Sequence, residues 1–338
     1  MTSRPTVAPV TIIIEWENAI DVEDEWTAKA MTALQAELER SAAGSKTRHR
    51  VVYLYDDTAV DPAVIRRTIA ASAPRLGEVA DVEVTPTHGL TYYKLKNFGV
   101  ARSTTELTVM LDSDAAPQPG WLENLLKPFA DPEIMVVGGF TVLGFNDLLS
   151  KTMALSWIFD LPDERKHTVK RAKVHVNNCA VRTDFFNNNP FPDLPIFKKQ
   201  CGFWLRDFAA RGHRYVRTAD AMTIHAPHPG VKFLVWRAWT AGSDRDYQVF
   251  QENTQSRIGR IGHAFQFLGK KTWRAWSRIW TRGSSVDLPV IQRPVAMLIA
   301  FIYYSIATVS SATRALTQSY QPLPPRARRP KLGTASGA

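Results

Sequence analysis

The sequence predicts a doubly wound α/β fold with a mainly parallel sheet, and three observations lead to this prediction. Short apolar runs rich in β-branched residues, beginning with VTIII at residues 10–14, alternate with segments of helical periodicity. Two such runs, VVYLYDD and LTVMLDSD, end in acidic residues. With 338 residues, of which 45% are hydrophobic, the chain can bury one large α/β core. Because ligands of such sheets bind at the carboxyl ends of the strands, these acids mark the expected site.

Strands and helices alternate in order up to Asp114. The opening strand precedes a helix over residues 26–40, which are rich in strong helix formers. The next strand, HRVVYLYDD, precedes a helix that Pro62 opens. The strand VADVEVTP, a helix around YYKLKNFGVARS and the strand ELTVMLDSD follow. This spacing is typical of repeated βα units.

The pattern changes after Gly120. A helix is predicted at GWLENLLKPF, strands at IMVVGGFTVLG and KVHVNNCAVRTDFF, a helix at FWLRDFAARGHR and a strand region at YVRTADAMTIHA. We place the end of this ligand-binding domain near residue 230, so that it covers residues 1–230.

Composition excludes several classes of protein. The two cysteines, Cys179 and Cys201, are too few for a disulfide framework or a cysteine-based zinc site. The N-terminus has no long apolar stretch behind a basic start, so no signal peptide is predicted. The net charge of +10 is uneven, because residues 257–338 hold 13 Lys and Arg and one acid, Asp287. Such a basic segment suits nucleic acid or an anionic membrane.

An apolar run beside the basic residues favours the membrane over nucleic acid. Residues 231–287 are predicted to form a basic, aromatic-rich interfacial helical segment, residues 288–313 a hydrophobic membrane segment, and residues 314–338 a disordered basic tail. The apolar run could be a core helix, a spanning helix or a segment within one leaflet. A single span would place the basic tail outside the cytoplasm, which mildly favours the segment within one leaflet.

The strongest chemical motif is Asp112-Ser113-Asp114, at the end of the strand LTVML. Two carboxylates that project from a strand end can hold a divalent cation. Mg²⁺ and Mn²⁺ prefer carboxylate and phosphate oxygens, and either ion would neutralise a departing diphosphate. By itself a D-x-D is often a pair of solvated loop acids, but its position after an apolar strand favours a function.

Two further pairs of charged residues have alternative interpretations. Asp56 and Asp57 could form a turn or a helix N-cap, or accept a hydrogen bond from a nucleobase. Lys94 and Lys96 lie in a helix that could face the same cleft. For at least one of the two lysines, a solvated helix face is the better interpretation.

The order of these motifs resembles family-2 glycosyltransferases of the GT-A fold. VVYLYDDTAVD resembles their second strand, KLKNFGVARS their Ala-Arg-Asn-x-Gly-Ile helix, and MLDSDAAPQPGWLENLLKPF their D-x-D strand with the following helix. NNCAVRTDFF and RGHRYVRTADAMTIHAPHPG resemble later family segments, so the resemblance covers roughly residues 10–230. It implies a GT-A-type, Rossmann-like mixed sheet flanked by helices, followed here by a membrane-associated helical tail.

The resemblance also implies roles for individual residues. Asp57 would contact the nucleobase, and Lys96 and Asn97 would lie near the diphosphate or the sugar. Asp112 and Ser113 would contact the sugar nucleotide. Asp112 and Asp114 would hold the metal, and His225 could complete the metal shell, although a lone histidine in a strand is more often structural.

The sequence departs from the family where the catalytic base should stand. Gln200-Cys201 occupies the position of the family's Glu-Asp. An unperturbed thiol is mostly protonated at neutral pH and accepts a proton less readily than a carboxylate. Three interpretations remain open: Asp193 or Asp207 acts instead, Cys201 is a thiolate activated by Lys198, Lys199 or a nearby histidine, or the chain binds a sugar nucleotide without efficient transfer.

The opening loop departs as well. Glu15-Trp16-Glu17-Asn18 replaces the family's Pro-Thr-Tyr-Asn. Trp16 could stack on a base or simply pack, and acids such as Glu15 would repel a diphosphate unless they face away. Glu15 and Trp16 therefore remain candidate donor-binding residues.

The predicted protein is a metal-dependent, inverting glycosyltransferase, with inversion implied by the resemblance alone. It would use Mn²⁺ or Mg²⁺ and move a sugar from a nucleotide-sugar donor to a lipid-linked or glycan acceptor. Its catalytic domain would face the cytoplasm at the inner membrane. The alternative is a catalytically weak domain that serves as a membrane-bound sugar-nucleotide sensor or scaffold.

Overall fold

The fold is built on one mixed β-sheet. The computed structural model describes residues 8–20, 22–42, 48–157, 159–164, 169–170, 174–227, 230–252 and 256–317. The strands in this part of the chain are β1 (Val10–Glu15), β2 (His49–Asp56), β3 (Ala80–Thr87), β4 (Leu107–Asp112), β5 (Ala115–Pro117), β6 (Ile134–Leu143), β7 (Val169–Lys170), β8 (Asn178–Arg182) and β9 (Arg214–His225).

The sheet has the strand order β3-β2-β1-β4-β8-β6-β9-β5, and β7 pairs with β9. Strands β3, β2, β1 and β4 run parallel, β8 is antiparallel to both β4 and β6, and β9 is parallel to β6. The first half is therefore the predicted parallel βα arrangement, and the second half makes the sheet mixed. This confirms the predicted GT-A-type fold.

Helices cover both faces of the sheet. They are α1 (Asp24–Ala42), α2 (Pro62–Ser72), α3 (Leu76–Val79), α4 (Tyr92–Ala101), α5 (Trp121–Leu126), α6 (Leu148–Ser156), α7 (Thr183–Asn188), α8 (Gln200–Ala210), α9 (Gly230–Glu252), α10 (Arg257–Arg282) and α11 (Arg293–Thr317).

Side-chain alternation along β1 separates two cores. Ile12 and Ile14 join the core on the side of α1, α2 and α5, whereas Ile13 joins the core beneath α4, α7 and α8. Helix α4 lies very close to the sheet at Gly99, where an added Cβ would come 2.7 Å from Leu54 Cδ1. This close approach holds the first turn of α4 near the carboxyl ends of β1 and β4.

One segment differs from its prediction. The run KVHVNNCAVRTDFF is strand only from Asn178 to Arg182, because helix α7 begins at Thr183. The Thr183 N–H donates to the carbonyl of Glu106, and no later residue of the run pairs with β4. The apolar pair Phe185-Phe186 therefore belongs to a helix that packs on α4.

The last three helices pack on one another. Helix α11 contacts α9 and α10, with small residues such as Ala300 and Ala307 on its buried face. At Gly242 of α9 an added Cβ would lie 2.0 Å from the carbonyl oxygen of Ala307. Residues Val290–Thr317 are long and apolar enough to cross a membrane, yet nearly half of their most apolar part is buried against the protein.

The predicted boundaries at residues 230, 287 and 313 stay predictions. Apolar side chains of α6, α9, α10 and α11 share one core, which includes Met153, Leu234, Ile279 and Tyr304. Most of the predicted disordered tail, from residue 318 onward, lies outside the described residues.

Candidate metal and donor site

The site forms at the carboxyl ends of β1, β4 and β9, where β5 begins. Glu15 and Asp112 are register partners at the ends of β1 and β4, and Ala115 and His225 pair across β5 and β9. The short β5 follows the D-x-D at once, so its pairing with β9 brings His225 to Asp114. Ligand atoms of Asp112, Asp114 and His225 all lie within 4.8 Å of one another, and all three side chains are buried.

Asp112 is held in place by three side chains. Lys96 Nζ lies 2.7 Å from Oδ1, the Tyr92 hydroxyl donates to both carboxylate oxygens, and Asn18 Nδ2 donates to Oδ2 at 2.8 Å. Burial acts to raise the pKa of Asp112, but the positive charges of Lys96 and then Lys198 hold it below the usual value. Asp112 is therefore a fixed, charged carboxylate.

Asp114 differs from Asp112 in its surroundings. Burial, opposed by His225, raises its pKa to about 6. Its Oδ2 lies 3.5 Å from His225 Nδ1, and its buried Oδ1 has no hydrogen-bond partner among the described residues. A buried carboxylate oxygen without a partner is costly unless something fills the position, and a cation would do so. Two carboxylates and an imidazole are a donor set that suits Mn²⁺ or a similar ion.

The imidazole of His225 is oriented for such a role. Its Nδ1 lies 3.0 Å from the carbonyl oxygen of Ala226. The same nitrogen lies 3.5 Å from Asp114 Oδ2, so the tautomer decides whether Nδ1 donates to the Ala226 carbonyl or offers its lone pair to a cation. The Ala226 N–H in turn donates to the Asp114 carbonyl at 2.8 Å, which fixes the two ligands relative to each other.

Glu15 lies within this cluster and does not face away from it. Its side chain is fully buried, its Oε2 accepts the Asn18 N–H at 3.2 Å, and its Oε1 has no partner among the described residues. Burial, together with the negative charge of Asp112, raises the pKa of Glu15 well above its usual value. The neutral acid is thereby favoured, which relieves the repulsion that a second carboxylate would exert on a diphosphate.

Two other predicted donor-binding residues shape the loop after β1. Trp16 is buried edge-on against Tyr53, with 5.8 Å between ring centroids, and it lines a cavity of about 420 Å³ between α1 and α2. Ser113 Oγ accepts the Ala19 N–H at 3.0 Å. The geometry thus favours packing over stacking for Trp16, and a hydrogen bond to the loop for Ser113.

The remaining residues predicted to bind the donor, Asp57 and Asn97, make contacts outside the acidic cluster. Asp57 lies at the surface, with its carboxylate 3.1 Å from His88, and Asp56 accepts hydrogen bonds from Thr58 as in a turn. Asn97 is committed to the backbone of Phe191, to which its amide both donates and accepts. Of the predicted donor set, the structure brings Glu15, Lys96 and Asp112 together, and it places Asp57 and Asn97 elsewhere.

The position expected for the base holds no carboxylate. Cys201 lies in the first turn of α8, where burial raises its pKa and the Tyr93 hydroxyl donates to its Sγ at 3.3 Å. The neighbouring Gln200 donates to the carbonyls of Leu194 and Ile196. These contacts favour a protonated thiol over an activated thiolate.

The two candidate replacements are surface residues. Asp193 forms an ion pair with Lys94 at 2.8 Å, and Asp207 forms one with Arg211 at 2.7 Å. Neither belongs to the Asp-Asp-His cluster. Lys94 lies on the solvated face of α4, whereas Lys96 is fully buried, which matches the interpretation that at least one of these lysines is solvated.

Several residues of the site were not predicted. Tyr92 could have been found, because it lies four residues before Lys96 and therefore on the same face of α4. Asn18 follows β1 closely and could have been found from the strand-end argument. Lys198, whose Nζ lies 3.6 Å from the centroid of the Tyr92 ring, was expected only as a possible activator of Cys201.

The fold and this arrangement of acids define a GT-A-type domain with a candidate site for a cation. The sequence model of glycosyl transferase family 2 matches residues 82–186, a span that includes Lys96, Asp112 and Asp114. Residues 82–186 therefore resemble family-2 glycosyltransferases, and the fold of the chain is of the GT-A type.

Known proteins resemble the chain to different extents. A mannosyltransferase from Pyrobaculum calidifontis, solved in complex with GDP-Man and Mn²⁺, is 17% identical; the match covers 94% of this chain and 92% of that one, with a TM-score of 0.53. The pre-mycofactocin glycosyltransferases of two Mycobacterium tuberculosis strains are 48% identical over 42 residues, which is 12% of this chain and 9% of theirs. The first likeness shows the fold, and the second covers a small part of those proteins.

Proposed function

We propose that this protein is a metal-dependent glycosyltransferase that moves a sugar from a nucleotide-sugar donor to a lipid-linked or glycan acceptor at a membrane. The observation that carries the proposal is the buried cluster of Asp112, Asp114 and His225 at the carboxyl edge of the sheet. These residues would hold Mn²⁺ or Mg²⁺, with Asp114 Oδ1 as the most available ligand atom. The bound cation would stabilise the negative charge of the departing diphosphate.

The protein's own residues prepare this site. Lys96, Tyr92 and Asn18 hold the Asp112 carboxylate in one orientation before any ligand arrives. Lys96 also contributes a fully buried positive charge beside the position where a diphosphate would lie. The acceptor hydroxyl would attack from the opposite face of the sugar with inversion, as the family resemblance implies.

Exposed apolar side chains on two helices support a membrane location. On α10 they recur every seven or eight residues and so occupy one side of the helix. On α11 they lie opposite the face that packs on α9. We call this set the α10–α11 surface: Ile258, Phe265, Trp273, Trp280, Val295, Leu298, Phe301, Ile302 and Val309.

Hydrogen bonds join the two helices that carry the α10–α11 surface. Trp276 Nε1 donates to the carbonyl of Met297 at 2.8 Å, and Arg293 Nη1 donates to the carbonyl of Trp280 at 2.6 Å. These bonds join the two helices beside their exposed sides. Lys270 and Arg274, both exposed on α10, supply positive charge for anionic lipid head groups.

We infer that α11 lies in the membrane plane and does not cross the bilayer. Its inner face is packed against α9 and α10 through small residues, and a spanning helix would lose these contacts. The outer face alone would enter the bilayer, as in an interfacial anchor. Because nucleotide sugars are cytoplasmic, the inner membrane's cytoplasmic face is the location that we propose.

A second candidate function is a sugar-nucleotide sensor or scaffold. The residue in its favour is Cys201, a half-buried thiol at the position where the resemblance implies a catalytic carboxylate. A protein of this kind would bind donor and cation at the same site without turnover.

The experiment is a donor screen that follows release of nucleoside diphosphate with Mn²⁺ or Mg²⁺, in the presence of vesicles of cell lipid extract as acceptor. Asp114→Asn should abolish release, whereas Asp81→Asn, which changes an exposed acid paired with Arg48 far from the site, should not. Release that persists in Cys201→Ala places the base elsewhere. Metal-dependent nucleotide binding without release from any donor would overturn the transferase in favour of the sensor.

A further inference from the structure

We propose that Lys198 binds the diphosphate of the donor, and that Asp244 of α9 positions it there. The inference rests on the proposed function, since it assigns a ligand to the same site. Lys198 lies in the segment before α8, outside the residues that the family match covers. The observations that carry it are the position of the ammonium, the way its backbone is held, and the absence of a competing carboxylate.

The Lys198 ammonium lies beside the acidic cluster. Its Nζ is 3.6 Å from the centroid of the Tyr92 ring, and the hydroxyl of the same ring donates to both oxygens of Asp112. Its positive charge acts to lower the pKa values of Glu15, Asp112 and Asp114 alike. The ammonium therefore lies against the same ring that holds Asp112 in place.

No carboxylate neutralises Lys198 directly. Among the described residues its ammonium has no ion pair within 4.0 Å, and the contacts that it does make are with the rings of Tyr92 and Phe197. Lys96 is different, because it is fully buried and bonded to Asp112 at 2.7 Å. Lys198 is only half-buried, so it can reach an arriving anion while Lys96 stays with its carboxylate.

The backbone of Lys198 is held from two sides. Asp244 accepts the N–H groups of Phe197 and Lys198, at 2.8 Å and 2.9 Å, with its two carboxylate oxygens. The Tyr93 hydroxyl donates to the Lys198 carbonyl. Asp244 and Tyr93 are both buried, so the segment is fixed by groups that cannot move to solvent. Asp244 thus acts on the ligand through Lys198 and is a positioning residue.

The chemistry of the site matches a diphosphate. Asp112, Asp114 and His225 would hold a cation that neutralises part of the diphosphate charge, and an ammonium makes charge-assisted hydrogen bonds to diphosphate oxygens. Lys198 would add a second positive charge for the same leaving group. Lys198 would also discourage binding of a cation alone, because like charges repel.

The test uses the opposite effects expected of Lys198, which should favour binding of a diphosphate and disfavour binding of a cation alone. We would titrate the protein with UDP, GDP, ADP and dTDP in the presence of Mn²⁺, and separately measure Mn²⁺ binding without nucleotide from the electron paramagnetic resonance of the free ion. Lys198→Gln should weaken binding of the nucleoside diphosphate about tenfold or more. The same variant should bind Mn²⁺ alone as well as, or more tightly than, the wild type. Loss of both affinities would mean a structural role and overturn the assignment.

A matched control removes the same charge from an exposed lysine. Lys127 lies directly after α5, and Lys127→Gln should leave both affinities unchanged. Asp244→Asn keeps one acceptor and should weaken nucleotide binding less than Asp244→Ala. In the Lys198→Gln background, Asp244→Ala should add little further loss if the two act through one contact.

The outcomes separate this inference from the proposed function. A wild type that binds none of the four nucleotides with Mn²⁺ would overturn the proposed function itself. A wild type that binds one of them, with Lys198→Gln binding it equally well, would overturn only the role of Lys198. Thermal unfolding of each variant identifies any that loses its fold, in which case Lys198→Arg, which keeps the charge, must retain most of the affinity.

Discussion

The hydroxyl of Tyr92 donates to both carboxylate oxygens of Asp112, at 2.8 Å and 2.9 Å. Burial, followed by the charge of Asp112, raises the pKa of Tyr92 well above its usual value, so the hydroxyl keeps its proton. One ring therefore fixes Asp112 with its hydroxyl and contacts the Lys198 ammonium with its face. This connection between an acid of the D-x-D and a distant loop gives the first prediction.

Tyr92→Phe should lower kcat/KM for the donor about tenfold, since a hydrogen bond to a charged group contributes roughly 1.5–3 kcal/mol. The phenyl ring remains, so packing and the contact with Lys198 should persist. Tyr53→Phe is the matched control, because its hydroxyl donates to Met31 Sδ on the other side of the sheet. An unchanged kcat/KM in Tyr92→Phe would contradict a role for this bond.

Asp114→Asn should stabilise the metal-free protein at neutral pH. The pKa of Asp114 is raised to about 6, so the folded state holds its proton more tightly than the unfolded chain does. The stability that this proton contributes is fully present below about pH 4 and is lost as the pH rises through about 6. The variant has no carboxyl group to protonate. Its free energy of unfolding should therefore exceed that of the wild type by on the order of 1–3 kcal/mol at neutral pH and should equal it near pH 4.

Calorimetry at several pH values measures this difference in stability. With Mn²⁺ present, the wild type should become the more stable of the two proteins. A metal that binds the folded state stabilises the wild type, whereas Asp114→Asn should show little increase in Tm with added Mn²⁺. Equal increases in Tm for both proteins would place the metal elsewhere.

Cys201 should react slowly with iodoacetamide. Burial, only partly opposed by the Tyr93 hydrogen bond, raises the pKa of its thiol, and alkylation requires the thiolate. At neutral pH the rate should fall at least about tenfold below that of free cysteine, as it should for the buried Cys179. Mass spectrometry of the alkylated peptides gives both rates. Rapid, selective modification of Cys201 would restore the interpretation of an activated thiolate.

Trp273→Ser combined with Leu298→Ser should reduce partition into vesicles that contain phosphatidylserine. Both side chains are exposed on the α10–α11 surface, and each apolar side chain contributes about 1.5–3 kcal/mol when it leaves water. Sedimentation with vesicles measures the effect. Val82→Ser, which removes an exposed valine from β3, should bind as the wild type does.

Single cysteines at the two ends of the last helical segment should be labelled from the same side of sealed vesicles. Ser284 and Thr317 are both exposed, and an in-plane α11 leaves both on the side of the donor site. A membrane-impermeant maleimide applied to either side of Ser284→Cys and Thr317→Cys gives the answer. Labelling from opposite sides would establish a span.

The parts of the site that depend on local sequence could be predicted, and the parts that depend on distant pairing could not. Asp112 and Asp114 follow an apolar strand, so their position at the edge of the sheet follows from strand length alone. His225 reaches them through the pairing of β5 with β9, which joins segments far apart in sequence and was suggested only by the family resemblance.

Other residues show why type and position do not determine a role. Asn97 lies one residue from Lys96, yet the helical rotation between them turns its amide toward Phe191 and away from Asp112. Lys198 and Lys199 are identical in type, but Asp244 fixes the backbone so that the first contacts Tyr92 and the second faces α9. The contacts of these side chains depend on tertiary packing, which cannot be read from a single sequence.

The close approach of Gly242 to Ala307 affects which acceptors the donor site could contact. Helix α9 is pressed onto α11 at this point, and two residues further along the same helix Asp244 holds Lys198. Helix α9 therefore connects α11, the helix that we propose contacts lipid, with the loop that we propose contacts the donor. If α11 binds the bilayer surface, the donor site would lie at a fixed distance from the lipid head groups. Only acceptors whose hydroxyl lies at that distance from the membrane could then react.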